Sequence, residues 1–142
     1  VIRRLTAAGV TVRVRVAPVV PGLTDHEMEP ILEAAADAGA KGASWIMLRL
    51  PLEVAPLFRE WVEARVPLRA AKVMARVREA RGGKDYDAEW GKRMRGEGVF
   101  AGLIGQRFKL AVARYGLAQD LPALRSDLFA PPPRAGDQLA LF

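Results

Sequence analysis

A strict alternation of valine and arginine within residues 11–20 is the feature that most constrains the fold of this chain. The two residue types lie on opposite sides of an extended backbone: Val12, Val14 and Val16 on one side, Arg13 and Arg15 on the other. A period of two with β-branched residues predicts a β-strand over Thr11–Val20. The pair Pro21-Gly22 predicts the end of this strand.

A helix is predicted directly after this strand. Thr24 and Glu27 have the spacing of a capping box, which predicts that a helical turn begins there. Pro30 fits the first position of the helix proper, which continues over Ile31–Ala38 and ends at Gly39. Another helix is predicted in residues 1–8, before the strand.

A second, mostly apolar run covers Ala43–Leu50 and ends at Pro51. Such a run between helix breakers predicts a strand of a parallel sheet that helices cover. Strand, helix and strand form a βαβ unit, whose crossover is expected to be right-handed. The first 51 residues therefore predict an α/β fold with two parallel strands.

Helices dominate the chain beyond residue 51. Apolar residues recur at helical spacing in three segments: Pro56–Arg65, Leu68–Arg81 and Val99–Tyr115. We therefore expect three parts: the βα units in residues 1–51, a helical extension in residues 52–116, and an irregular proline-rich tail in residues 117–142.

Composition excludes several classes of site. The chain has no cysteine, which excludes disulfides and thiolate-held metals within it. Acidic residues surround the single histidine, His26, but first-turn interactions with the helix dipole explain them better than a metal site. No apolar run reaches the roughly 18 residues of a membrane span, and no signal peptide is visible, so the cytoplasm is the expected location.

The net charge of +6, with a pI of about 10.3, favours a polyanionic partner, and nucleic acid above all. Arginine supplies most of this charge. Arginine-rich coding in the source organism explains the same bias equally well, so charge alone leaves both interpretations open.

Several short strings together resemble the C-terminal half of a radical S-adenosylmethionine protein. The group that they resemble is called DNA repair photolyase-like and is related to spore photoproduct lyase. Five strings carry the resemblance through their order and spacing: APVVPGLTD at 17–25, LRLPLEV at 48–54, RGGKDYD at 81–87, RMRG at 93–96 and PPPRAGDQL at 131–139.

The resemblance covers essentially the whole chain and implies a fold and a cofactor. The fold is the C-terminal portion of a partial (β/α)6 barrel, with Thr11–Val20 as its fifth strand and Ala43–Leu50 as its sixth. The residues implied to hold S-adenosylmethionine follow these strands: Pro21, Gly22, Arg49, Leu50 and Pro51. Gly22 would let the backbone approach a ligand, and Arg49 would meet a carboxylate or phosphate. A simple turn and an ion-paired surface arginine are the plainer interpretation.

One departure from the family limits what this chain can do. The family's [4Fe–4S] cluster is held by a Cys-x3-Cys-x2-Cys loop, because thiolates ligate iron, and this sequence has no cysteine. We expect the parent protein to carry the cluster, and this chain only part of the cofactor pocket. Whether the chain by itself is an enzyme stays open.

A basic region surrounds Gly82-Gly83, with Tyr86 and Trp90 interleaved. Phosphate contact combined with base stacking predicts nucleic-acid binding here, although a solvated, self-paired surface explains the charges as well. The candidate residues are Arg76, Arg78, Arg81, Lys84, Lys92, Arg93 and Arg95.

The last five residues resemble the peptide by which bacterial repair proteins bind the sliding clamp. In that pattern Gln138 hydrogen-bonds the clamp, and three apolar side chains fill a cleft: Leu139, Leu141 and Phe142. A proline-rich spacer precedes the peptide and would hold it away from the domain. Docking of the peptide on its own domain is the alternative.

Three functions follow from these observations. The first is a radical S-adenosylmethionine lyase acting on damaged nucleic acid, of which this is the C-terminal part. The second is a non-catalytic basic module that is recruited to DNA through the clamp peptide. The third keeps the radical chemistry and changes the substrate to a protein or small molecule.

Overall fold

The computed structural model describes residues 1–123, 127 and 129–132. In this part of the chain the fold is mixed α/β, with five α-helices and one two-stranded sheet. The elements, in order, are α1 (Ile2–Ala7), β1 (Arg13–Val19), α2 (Met28–Asp37), β2 (Gly42–Met47), α3 (Val54–Arg65), α4 (Pro67–Glu79) and α5 (Gly98–Arg114). The clamp-like peptide, Gln138, Leu139, Leu141 and Phe142, lies outside the described residues.

The two strands are parallel, as the alternating and apolar runs predict. Arg13 pairs with Gly42 and Val16 with Trp45, and the pairing is irregular between Val16 and Val19. Both strands are shorter than predicted: β1 begins at Arg13, and both strands end before the chain turns towards Pro21 and Pro51. The predicted order of helix, strand, helix and strand is confirmed.

One face of the sheet is buried by α2 and α5. Its residues alternate along both strands, as period two requires, and are Val14, Val16, Ala43, Trp45 and Met47. Residues of α2 such as Leu32 and of α5 such as Phe108 complete this core. The helix α5 therefore packs on the sheet, although it lies in the segment predicted as a helical extension.

A second core lies beyond the carboxyl ends of the strands. Leu50 and Val62 are buried there against the apolar stripe of α4, which includes Val73 and Val77. Pro67 is the first residue of α4, a position where its missing N–H has no helical partner to lose.

The helical turn predicted at Thr24 is confirmed: a short 3₁₀ helix covers Asp25–Glu27, and Thr24 is its N-cap residue. The Thr24 side chain does not form the hydrogen bond of a capping box. Its Oγ1 instead accepts a 3.0 Å hydrogen bond from the N–H of Val20 and closes the turn after β1. Pro30 is the third residue of α2, which begins at Met28.

Candidate functional site

The carboxyl ends of β1 and β2 lie at one edge of the sheet because the strands are parallel. Arg49 follows β2 at this edge. Its Nη2 donates a 3.2 Å hydrogen bond to the hydroxyl of Tyr86, and its Nη1 lies 4.0 Å from the sulfur of Met94. Its Nε is buried and has no hydrogen-bond partner in the described part of the chain. Arg49 thus keeps one unused donor beside the strand ends.

Gly22 has a different neighbour from the one that the resemblance implies. Its φ of +78° is left-handed, and a Cβ there would lie 2.5 Å from Nη1 of Arg76. Its N–H donates a 2.6 Å hydrogen bond to Asp25, and its carbonyl accepts one from Arg69. The space that the missing side chain leaves is therefore filled by Arg76 and not open to a ligand.

The predicted cofactor residues fit S-adenosylmethionine only in part. An arginine with a free donor suits the carboxylate of the methionine moiety, and Arg49 meets that condition. Pro21 and Leu50 are buried in the protein core, and Pro51 is half-buried, so these three offer at most apolar contact. The Gly22 backbone could approach a ligand only if Arg76 moved.

The residues of this chain do not fit an iron–sulfur cluster. The sequence has no cysteine. Among the described residues, no three His, Asp or Glu side chains are grouped so that they could hold a metal ion. The acidic residues near His26 serve another purpose: Glu29 forms a bidentate pair with Arg107 of α5, and Asp25 accepts further hydrogen bonds from the same guanidinium.

Three of the seven predicted nucleic-acid residues are occupied by contacts within the protein. Arg81 requires a correction, because it is only 2% exposed and donates to the carbonyls of Leu48 and Lys92. Burial lowers the pKa of its guanidinium. Arg78 binds Asp85 at 2.6 Å, and Lys92 binds both Glu89 and Glu97. Arg81 is thus a structural residue that ties α4 to the end of β2.

Three others lie over aromatic rings. Arg76 covers Phe100 at 4.4 Å, Arg93 covers Trp90 at 4.1 Å, and Arg95 covers Trp45 at 4.8 Å. Trp90 is 81% exposed, so the stack with Arg93 stands on the surface. Lys84 is exposed as well. Stacked arginines keep their edge N–H groups free for phosphate, because the ring contacts only the guanidinium face.

A cleft of about 410 Å³ opens beside Arg95 on the α5 side of the sheet. Trp45 and Phe108 form its base, and Lys109 and Gln119 stand at its rim. Burial lowers the pKa of Arg95. None of the residues that the resemblance implies for the cofactor lines this cleft, and no sequence pattern predicted it.

The opposite face of the sheet is covered at Gly42 by Ala118 and Leu121 and is otherwise open in the part of the chain that the structure describes. It carries Arg13, Arg15 and Ala17 of β1 with Ser44 and Ile46 of β2. Arg15 donates a 3.3 Å hydrogen bond from Nε to Ser44 Oγ, and Arg13 donates to the carbonyl of Gln119. The alternation in the sequence placed both arginines on one side but did not mark them as functional.

Comparisons with protein-family models, with curated proteins and with solved structures find no match in any of the three. The described helices also include none long and apolar enough to cross a membrane. The geometry of the sheet and its strand ends is therefore the main basis for a functional proposal.

Proposed function

We propose that this chain is the C-terminal part of a radical S-adenosylmethionine enzyme that acts on nucleic acid in the manner of a DNA repair lyase. The observation that carries the proposal is the outer edge of β1, which is unpaired in the described part of the chain. The backbone groups along that edge have no strand partner among the described residues, and such an edge can pair with a further strand.

The hydrogen bonds indicate the side on which strands would be added. The carbonyl of Val12 accepts a 2.9 Å hydrogen bond from Lys41, just before β2. Because alternate residues of a parallel strand bond to the same neighbour, Arg13 and Arg15 direct their backbone groups away from β2 in the regular part of the pairing.

The outer edge of β2, in contrast, is already occupied. The N–H of Met47 donates to the carbonyl of Met94, and Ala43 donates to the carbonyl of Ala118, both at 2.9 Å. A further strand could pair with β1 but not with β2, as expected for a sheet in which β2 is the last strand. This agrees with the fifth and sixth positions that the resemblance implies.

In such an enzyme, Arg49 would bind the carboxylate of S-adenosylmethionine through its guanidinium, whose Nη1 makes only a 4.0 Å contact with the Met94 sulfur among the described residues. When bound, the cofactor supplies a radical that abstracts hydrogen from the substrate in the family that this chain resembles. The cluster ligands would come from residues outside this sequence. Within the chain, Arg49 would orient the cofactor, and Tyr86 would hold the Arg49 guanidinium in place.

The test uses the protein that the complete gene encodes, reconstituted with iron and sulfide without oxygen. With dithionite and ultraviolet-damaged DNA, we expect formation of 5′-deoxyadenosine. The Arg49→Leu variant should require at least tenfold more S-adenosylmethionine, and the exposed Arg65→Leu control should match the wild type. Absence of a Cys-x3-Cys-x2-Cys loop from the complete protein, or of 5′-deoxyadenosine from its products, contradicts the proposal.

A further inference from the structure

We propose that the open face of the β1–β2 sheet binds the phosphodiester backbone of a single nucleic-acid strand through Arg13, Arg15 and Ser44. This inference rests on the nucleic-acid part of the proposed function and assigns it to a surface. The basic region predicted for that role is a weaker candidate, since Arg78, Arg81 and Lys92 are bound by groups of the protein itself.

Charge is the first argument for this surface. Within the described residues, neither Arg13 nor Arg15 forms an ion pair, whereas Arg59, Arg78 and Arg107 each bind a carboxylate. Arg13 uses a donor on Gln119 and Arg15 uses one on Ser44. A guanidinium has five N–H groups, so both keep several donors for an anion.

Spacing is the second argument. Residues two apart on a β-strand project from the same face about 6.6 Å apart. This distance is comparable with the separation of consecutive phosphates along an extended strand. Arg13 and Arg15 could therefore each contact one phosphate, with the Ser44 hydroxyl beside the second.

The apolar residues on the same face are the third argument. Ala17 is exposed and Ile46 is half-buried beyond the two arginines, towards the carboxyl ends of the strands. A nucleotide has a charged phosphate and a base that stacks on apolar groups. A surface with cations at one end and apolar side chains at the other can contact both. Acidic side chains of a protein segment would pair with the two arginines and would make no contact with Ala17 and Ile46.

Fluorescence anisotropy of a labelled single-stranded oligonucleotide over a range of salt concentrations tests the proposal. We expect Arg13→Gln/Arg15→Gln to weaken binding at least tenfold and to reduce the salt slope by about 1.4, as the loss of two phosphate contacts requires. Arg65→Gln/Lys72→Gln removes the same charge from the exposed surfaces of α3 and α4 and should change affinity less than about threefold. Arg13→Lys/Arg15→Lys should recover much of the binding, and circular dichroism checks that every variant folds.

Three results would overturn the proposal. In the first, Arg13→Gln/Arg15→Gln binds like the wild type while Lys84→Gln/Arg93→Gln loses affinity. In the second, polyglutamate competes as well as an unlabelled oligonucleotide. In the third, the wild type does not bind the oligonucleotide; that result leaves 5′-deoxyadenosine formation, and so the cofactor part of the proposed function, as a separate question.

Discussion

The guanidinium of Arg81 donates a 2.6 Å hydrogen bond to the backbone carbonyl of Leu48, one residue beyond the end of β2. A second N–H of the same group binds the carbonyl of Lys92 at 2.9 Å. One buried cation thus joins the end of α4, the edge of the sheet and the loop in residues 82–97. Arg49, the candidate cofactor ligand, follows Leu48 directly, so Arg81 helps to fix its backbone.

Replacement of Arg81 by leucine should destabilise the protein, because the buried hydrogen bond to the Leu48 carbonyl is lost, although the Lys92 carbonyl keeps its bonds from the N–H groups of Arg95 and Gly96. We expect the free energy of unfolding to fall by about 2 kcal/mol or more. Urea denaturation measures the change. Lys72→Leu, at an exposed position on the same helix, is the control and should stay within about 0.5 kcal/mol of the wild type. Equal stability of the two variants would show that the buried contacts of Arg81 contribute little.

Gly96→Ala should be more damaging than Gly91→Ala, although both glycines have positive φ, +74° and +93°. A Cβ on Gly96 would lie 2.9 Å from the carbonyl of Ala80 and 2.9 Å from the sulfur of Met47, whereas Gly91 has nothing within 4 Å. Left-handed alanine costs about 1–2 kcal/mol at either site. We expect Gly96→Ala to cost at least about 1 kcal/mol more in urea denaturation, since it adds a steric clash. Indistinguishable midpoints would mean that the loop moves away from β2 without cost.

The pair of Glu29 and Arg107 should make stability depend on pH. Hydrogen bonds from Arg107 hold the pKa of Glu29 below its ordinary value of 4.5. A carboxyl with a lowered pKa in the folded state stabilises the protein above the ordinary pKa, and this contribution is lost as pH falls through the folded-state pKa. Glu29→Gln should therefore lower the free energy of unfolding by about 1 kcal/mol at neutral pH and by less in acid.

Urea denaturation between about pH 7 and pH 3 measures the difference between Glu29→Gln and the wild type. Glu33→Gln, on an exposed residue of the same helix, is the matched control and should run parallel to the wild type. If the difference in unfolding free energy between Glu29→Gln and the wild type is the same at every pH, ionisation of Glu29 does not contribute to stability.

The C-terminal peptide gives an independent prediction. A labelled peptide of residues 133–142 should bind the bacterial sliding clamp at tens of micromolar or tighter, as measured by fluorescence anisotropy. Replacement of Leu141 and Phe142 by alanine should abolish this binding, because these side chains would fill the apolar cleft of the clamp. No binding by the unchanged peptide at that concentration would leave self-docking as the alternative.

The sequence predicts the order of the elements and the parallel sheet, because alternation and apolar runs reflect burial directly. Prediction from the sequence fails where residues that are far apart in the chain contact each other. Arg81 meets Leu48, 33 residues away, and a basic region in the sequence cannot reveal that one of its members is buried. The Thr24 hydroxyl accepts its hydrogen bond from the N–H of Val20, four residues earlier, and not from the helical turn that follows it. The arginine face was visible as alternation, but only the structure shows that the described residues leave it uncovered beyond Gly42.

The central claim is that β1 is an inner strand of a larger parallel sheet, and hydrogen exchange tests it most directly. In the protein that the complete gene encodes, a neighbouring strand should protect the amides of Arg13 and Arg15 as strongly as that of Met47, which already donates to Met94. Exchange of these two β1 amides at the rate of an exposed edge, while Met47 stays protected, would contradict the claim.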